Sequence, residues 1–384
     1  MNLFRLPTHV SIEPGCLARL PELVQQLGSQ RVLLVTDEYL SQTDFCRGAQ
    51  AAIEASGASC EVYSKVESNP RTSTVERIAE LAREQNSQML IGIGGGSVLD
   101  AAKAAAMLAT NGGSLLDYVG KDRIAKEPLP FIAVPTTCGT GSEVTWVAVV
   151  TSEDAASKVS VKGLGMFPDF ALVDAELIAK LPPPLLASTS MDALTHAIEA
   201  STGKCANPIS DALSDQAVQR IFGYLERAVA DSAGDPEARD HIACASTLAG
   251  VSFGNSDVGA VHCLSETLGG LFDVPHGLAN AILLGPVLRY QLQSSTAPLA
   301  RFEGLVAGRP KITDGAAEAE AAASFVERVE ALGSAVEIPQ FSSLGIPRDA
   351  YGDITRRSVA NGSNTSCPQT MTESDYLHIL EHLG

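Results

Sequence analysis

The sequence predicts a chain in two parts, an α/β part built on a parallel sheet and an all-α part after it. Three observations carry this. Short aliphatic and β-branched runs alternate with amphipathic helical stretches through roughly the first half of the chain. The texture changes at Pro182-Pro183-Pro184, beyond which helical spacing dominates and hardly any β-like run occurs. The length, 384 residues, is long for one domain, and 45% hydrophobic residues supply enough apolar surface for two cores. A boundary near 181–185 divides the chain into domains 1–182 and 183–384.

Each element has its own signal. The run at 31–36 is a buried strand, 43–56 a helix, and 59–66 alternates like a strand. In 73–85, Val75, Ile78, Leu81 and Ala82 share one helical face. The stretch 88–93 is a strand that runs into glycines and the alanine-rich helix 98–108, and 130–134 is another strand. This strand–helix alternation implies a parallel sheet with helices on its faces. Two further strands, 146–151 and 170–174, read as a hairpin carrying the intervening 158–162. Helical spacing then predicts helices at 187–202, 209–230, 236–254, 257–270, 277–293, 316–333, 348–359 and 372–383. Thr372 stands three residues before Asp375, close to a capping box.

The totals exclude some classes of function. A formal net charge of -18 argues against nucleic acid or an anionic membrane as partner, since both want clustered Lys and Arg. The eight cysteines are scattered without a CxxC pair and read as free thiols of a reducing compartment. The N-terminus lacks the apolar core of a signal peptide, and no later stretch is long and clean enough to span a bilayer. The expectation is a cytoplasmic protein.

Two loops follow strands in the α/β part. Gly92-Ile93-Gly94-Gly95-Gly96-Ser97 lies between a strand and a helix. Its glycines would let backbone approach a phosphate, and the helix N-terminus would offer free N–H groups; a tight turn with a helix cap is the plain alternative. Its spacing is not GxGxxG. The stretch Pro135-Thr136-Thr137-Cys138-Gly139-Thr140-Gly141-Ser142-Glu143 offers hydroxyl and N–H donors to a ligand, or makes an ordinary polar turn. Two such loops would face the same end of a parallel sheet, where α/β ligands sit. Asp37 ends the first strong strand; a carboxylate there suits the two ribose hydroxyls of an adenosine, and equally suits a turn.

The helical part carries a different chemistry. Asp192 and His196 are four apart, so a helix puts them on one face. His262 and His276 follow, and three of the chain's seven histidines thus gather beside one carboxylate. One carboxylate oxygen and three imidazoles suit a divalent first-row ion such as Fe(II) or Zn(II). On the residues alone, a capping aspartate and three unrelated histidines is the alternative.

Four motifs now stand in order: Gly94-Gly95-Gly96-Ser97 with Asp100 and Lys103; 135–143; Asp192-Ala193-Leu194-Thr195-His196-Ala197-Ile198-Glu199; and Pro275-His276-Gly277-Leu278-Ala279-Asn280. Together they resemble the iron-dependent (group III) alcohol dehydrogenases, over nearly the whole chain. The resemblance implies a Rossmann-like dinucleotide-binding domain followed by an all-helical metal-binding domain, a dehydroquinate synthase-like fold. It implies Fe(II), or Zn(II), on Asp192, His196, His262 and His276. It places NAD(P) along Gly94, Gly95, Gly96 and Ser97 and at Thr136, Thr137 and Thr140, with Asp37 at the adenosine ribose and Asn69 and Lys158 close by. Asp37 tilts the choice toward NAD over NADP. Val147, Val149 and Phe253 match pocket-lining positions. A homodimer or larger homo-oligomer, joined through the N-terminal β edge, is also implied.

This chain departs from the family at one place near the metal motif. Many members carry a second histidine four residues after the position of His262; here it is Glu266. Such a carboxylate could relay protons, orient a ligand histidine, recognise a substrate hydroxyl, or be a plain structural acid. The Asn-Pro-Arg motif common before the last helix is also altered, to Asn364-Thr365-Ser366-Cys367-Pro368.

The expected activity is hydride transfer between a small, primary alcohol or aldehyde and a nicotinamide cofactor. The metal would act as Lewis acid on the oxygen, with His276 and Glu266 in catalytic positions. The alternatives are a glycerol dehydrogenase-like zinc enzyme, a dehydroquinate synthase-like lyase that uses NAD and metal, and a non-catalytic NAD-binding protein. The complete ligand set argues against the first and the last. The helical part shows no Lys/Arg cluster near the metal motifs, which the lyase would need for a phosphate-bearing substrate.

Overall fold

In the computed structural model, residues 3–154, 157–308 and 315–383 are described. The chain forms two compact units. One comprises Leu6–Thr137 with Gly141–Ala179; the other takes the residues up to Arg5, the short stretch Cys138–Thr140, and everything from Lys180 onward.

The first unit contains the strands. These are β1 (His9–Ile12), β2 (Arg31–Val35), β3 (Ser59–Tyr63), β4 (Met89–Gly94), β5 (Gly120–Lys121), β6 (Phe131–Pro135), β7 (Val147–Ser152), β8 (Ser157–Lys162) and β9 (Phe170–Val173). Six of them make one parallel sheet in the order β1-β9-β6-β4-β2-β3. Its helices are α1 (Leu20–Gln26), α2 (Glu38–Ser41), α3 (Asp44–Ala55), α4 (Thr72–Glu84) and α5 (Gly96–Asn111).

The period-2 geometry of a strand explains why the central strands are apolar throughout. In β2, Leu33 and Val35 enter one core with α4 and α5, while Val32 and Leu34 enter the other with α1 and α3. Ala101, Ala102, Ala104, Ala105 and Ala106 of α5 are all buried, so the Ala run is what lets this helix lie close to its neighbours.

The hairpin expected from 146–151 and 170–174 is wrong in its pairing. Strand β7 pairs antiparallel with β8, from Val147↔Lys162 to Ser152↔Ser157, and β5 joins β8 to make a small separate sheet. The 170–173 run instead enters the large sheet between β1 and β6. Its composition explains this: Phe170-Ala171-Leu172-Val173 is buried on both faces, as an interior parallel strand must be, whereas β7 alternates half-buried and buried residues. Strand β1 and helix α1 also escaped the sequence reading, β1 being only four residues long.

The second unit is helical, and among its described residues no strand occurs. It runs through α6 (Pro183–Thr202), α7 (Pro208–Ala230), α8 (Pro236–Gly254), α9 (Ala260–Phe272), α10 (His276–Gln291), α11 (Thr296–Val306), α12 (Gly315–Ala335), α13 (Tyr351–Ala360) and α14 (Glu373–Glu381). Helix α11 had no counterpart in the sequence reading. Helix α6 opens on Pro183, where a missing N–H costs nothing, and is buried almost continuously from Leu186 to Ser201 against α7, α8 and α10. The capping box at α14 is complete: the Asp375 N–H donates to Thr372 Oγ1 at 3.3 Å, and the Thr372 N–H donates to Asp375 Oδ2 at 2.7 Å. At the other end of the chain, the Arg5 N–H donates to Asn255 Oδ1 and Asn255 Nδ2 donates to the Arg5 carbonyl.

Candidate metal centre and cofactor loops

Three helices of the second unit supply the ligand-type side chains. Asp192 and His196 lie one turn apart on α6, His262 is in the first turn of α9, and His276 is the first residue of α10. Asp192 Oδ1 is 3.6 Å from His196 Nδ1, 3.9 Å from His262 Nε2 and 3.8 Å from His276 Nε2. His196 Nε2 and His262 Nε2 face each other at 2.9 Å. One ligand atom from each of the four residues lies within 4.8 Å of all the others.

The chemistry of this donor set fits a cation. Asn280, one turn beyond His276, places its Nδ2 2.6 Å from Asp192 Oδ1, 3.1 Å from His262 Nε2 and 3.2 Å from His276 Nε2. An amide nitrogen carries two hydrogens, so three acceptors outnumber them. Asp192 Oδ2 is buried with no hydrogen-bond partner. A buried surplus of lone pairs is costly unless a positive charge satisfies it.

The protonation states of His196 and Asp192 agree with this. Burial pushes His196 down to about 4, outweighing the attraction of Asp192, so its ring is neutral and its lone pair available. Burial alone would raise Asp192, but the three imidazoles and the Asn280 amide pull it below the ordinary carboxylate value. Burial likewise opposes charge on His262, yet the hydrogen bond and charge of Glu199, with Asp192 and Glu266 behind, hold it above the ordinary histidine value.

Glu199 is a member of the site that sequence reasoning did not assign. It accepts from His262 Nδ1 at 2.6 Å, from the Gly259 N–H at 2.8 Å and from the Val261 N–H at 2.7 Å. With Nδ1 committed as donor, His262 presents Nε2 as an acceptor toward the other ligand atoms. The spacing held the signal, since Glu199 follows Asp192 by two helical turns and shares its face. Gly139 closes the centre: a Cβ there would lie 2.8 Å from the Thr189 carbonyl and 3.0 Å from Asp192 Oδ2, so a side chain has no room. Phe253 stacks on His196 with ring centroids 4.3 Å apart. Glu266 is half-buried and accepts from Asn361 Nδ2 at 2.6 Å.

In the first unit the two loops come together at the C-terminal end of the sheet. The β4–β6 register pairs Gly94 with Pro135, and the Thr136 N–H donates to the Gly94 carbonyl. A Cβ on Gly95 would lie 3.2 Å from Thr137 Cγ2, and one on Gly94 would overlap Val98 at 2.5 Å. Ser97 lies in the first turn of α5, whose N-terminal amides open onto this loop. Asn69, in a left-handed conformation at φ 54, accepts from Lys158 Nζ at 2.8 Å. Val147 and Val149 are half-buried on one face of β7. Asp37 caps α2, its Oδ1 accepting from the Leu40 N–H at 2.7 Å. Thr140 belongs to the stretch that groups with the helical unit.

A second unassigned pair organises the Thr-rich loop. Lys103 is buried on α5, and its Nζ donates to the carbonyls of Ser142 at 2.8 Å, Val147 at 2.9 Å and Thr145 at 3.2 Å. Asp100, one turn earlier, accepts from Ser142 Oγ at 2.5 Å and from the Val149 N–H at 2.9 Å. The loop and the start of β7 are thus tied to the helix that follows the glycines.

A Gly-rich loop at the carboxyl end of a parallel sheet, with a buried Asp/His cation site on a helical unit, defines a metal-using enzyme with a nucleotide-type fold. The chain belongs to the iron-containing alcohol dehydrogenase family. The model for iron-containing alcohol dehydrogenase matches residues 7–175, and the model for the C-terminal part of the Fe-containing family matches 186–384. The chain is 32% identical over 383 residues to an NAD-dependent methanol dehydrogenase of Bacillus methanolicus, covering 100% of both chains. It is 34% identical over 381 residues to a choline dehydrogenase of Bacillus subtilis, covering 98% of this chain and 93% of that one. A crystal structure of a 1,3-propanediol oxidoreductase superposes with a TM-score of 0.95 at 31% identity over 100% of both chains. The protein is accordingly an alcohol dehydrogenase-type oxidoreductase, of a family that works with iron and a nicotinamide cofactor. Among its described residues, no helix is long and apolar enough to cross a membrane.

Proposed function

We propose that Asp192, His196, His262 and His276 hold the catalytic metal, and that the cofactor lies along Gly94–Ser97, Thr136, Thr137 and Thr140, with Asn69 and Lys158 beside it. The α/β domain, 1–182, is then the dinucleotide domain, and 183–384 the metal domain. The reaction is R–CH2OH + NAD+ → R–CHO + NADH + H+, run in either direction. When bound, the metal supplies Lewis acidity at the alcohol or carbonyl oxygen. The chain's own contribution is position and field. Glu199 fixes the His262 tautomer, Asn280 holds Asp192 Oδ1, and Phe253 packs on His196. Val147 and Val149 on β7, and Phe253 on α8, are the positions proposed to meet substrate.

One observation supports this reading above the others: buried lone pairs converge on one point with too few protons to satisfy them. NAD is preferred over NADP because the carboxylate of Asp37, at the end of β2, would repel a 2′-phosphate. All eight cysteines are free, which supports a cytoplasmic enzyme. Strand β1, with half-exposed Val10 and Ser11 at the sheet edge, offers an interface for a homodimer.

The test is reconstitution with Fe(II) and with Zn(II), then reduction of C2–C5 aldehydes with NADH and with NADPH. His276→Ala is expected to lose bound metal and nearly all NADH-linked turnover together. Full turnover in a metal-free variant overturns the assignment.

A further inference from the structure

Two of the chain's seven histidines pair up away from the centre described above. His378 lies in the last turn of α14 and His382 caps its C-terminal end, four residues on, and both are exposed. Their rings stand with centroids 4.1 Å apart, tilted by 34°. His382 Nδ1 is 2.7 Å from the His378 carbonyl. A carbonyl only accepts, so Nδ1 carries the hydrogen and leaves the lone pair on Nε2, away from the backbone. The His378 ring meets Tyr290 of α10, with centroids 5.3 Å apart, and among the described residues neither of its nitrogens makes a hydrogen bond.

The helix dipole does not explain the pair, since one basic side chain serves a C-terminus. A second imidazole one turn away on the same face makes a chelating arrangement, because one ion can take both rings without ordering any other part of the chain. Imidazole nitrogens sharing an ion stand about 3 Å apart, a span that rings this close can reach. Asp375 is on the same face, one turn before His378, but its oxygens are engaged. Oδ2 accepts from the Thr372 N–H and hydroxyl, both at 2.7 Å, and Oδ1 accepts from the Tyr290 hydroxyl. It supplies charge nearby rather than a ligand, in a chain whose net charge of -18 draws cations to its surface.

We propose that His378 and His382 form a second, surface metal site, for a late first-row divalent ion such as Ni(II), Cu(II) or Zn(II), with water in the remaining positions. Imidazole suits these ions, and an open two-ligand site follows the general affinity order, which places Ni(II) and Cu(II) above Fe(II). The site does not depend on the alcohol dehydrogenase reading. A bound ion would bridge the last turn of α14, whose opposite face buries Tyr376, Ile379 and Leu380.

The experiment titrates Ni(II) calorimetrically into untagged enzyme already loaded with Fe(II), with released iron assayed alongside. The wild type is expected to take up one Ni(II) per chain without losing iron. His378→Gln and His382→Gln each leave a single imidazole and are expected to weaken this binding about a hundredfold, because the second ligand no longer acts at high local concentration. Both variants are expected to keep their NADH-linked turnover and far-UV circular dichroism, since both side chains are exposed and outside the centre. Retention on immobilised Ni(II) gives an independent readout: the wild type is held, and either variant passes through. No Ni(II) uptake, uptake matched by release of iron, or uptake undiminished in both variants overturns the proposal.

Discussion

Glu199 shows how a single side chain can govern a centre that it does not enter. Its carboxylate accepts three N–H groups, one from His262 and two from the backbone where α9 begins. Glutamine in its place has one accepting oxygen and turns an NH2 group toward at least one of these donors, so the three contacts cannot all survive and His262 loses its charged partner. Glu199→Gln is expected to weaken metal affinity about 10–100-fold, measured by competition with a chelator, while the far-UV circular dichroism is unchanged. Unaltered affinity in a folded variant would remove Glu199 from the site. The cluster of Asp192, His196, His262 and His276 was legible because two are spaced i,i+4 on one helix and histidines are few. The roles of Glu199 and Asn280 were not, because they depend on where α9 and α10 bring their backbones and imidazoles.

At the scale of elements, Lys103 ties α5 to the Thr-rich loop and β7. Burial lowers this amine to about 8 from an ordinary 10.5, against the pull of Asp100 and Glu143. The native pKa lies below the unfolded one, so below about 8 both states carry the proton and the cost of the buried charge is fully present. Between about 8 and 10.5 the unfolded chain binds a proton that the native state gives up, so this group's contribution to stability rises with pH. Urea midpoints of the wild type measured against Lys103→Met are expected to gain through that window. Parallel changes in both proteins would refute it. Lys103→Met itself is less stable at pH 7, because three carbonyls lose their donor. Element type was readable wherever periodicity was strong, as in the apolar β2 and β4 and the helices of the second unit. At β9 the strand was readable but its pairing was not, being decided by burial on both faces, and the short β1 and α1, with α11, were missed.

At the scale of the molecule, the Asp192/His cluster is drawn from three helices, and Asp192 and His276 are separated by most of α6 to α9. An ion held by these helices binds only the folded state, so it stabilises by mass action. Removing it with a chelator is expected to lower the thermal transition by several degrees, corresponding to about 2.7 kcal/mol at a hundredfold excess of metal over Kd. Calorimetric scans with and without chelator check this, and identical scans would show that the Asp192/His cluster holds no structural ion.

Among the described residues, strand β1 has one sheet partner, β9, with His9 beside Phe170 and Ile12 beside Val173. During synthesis the first strand therefore leaves the ribosome long before the strand that will receive it. At about 5–20 residues per second, the wait is on the order of ten to thirty seconds. Arg5 waits longer still, since its backbone partner is Asn255. Strand β1 is thus fastened when β9 emerges, and the Arg5 backbone only later, when Asn255 does.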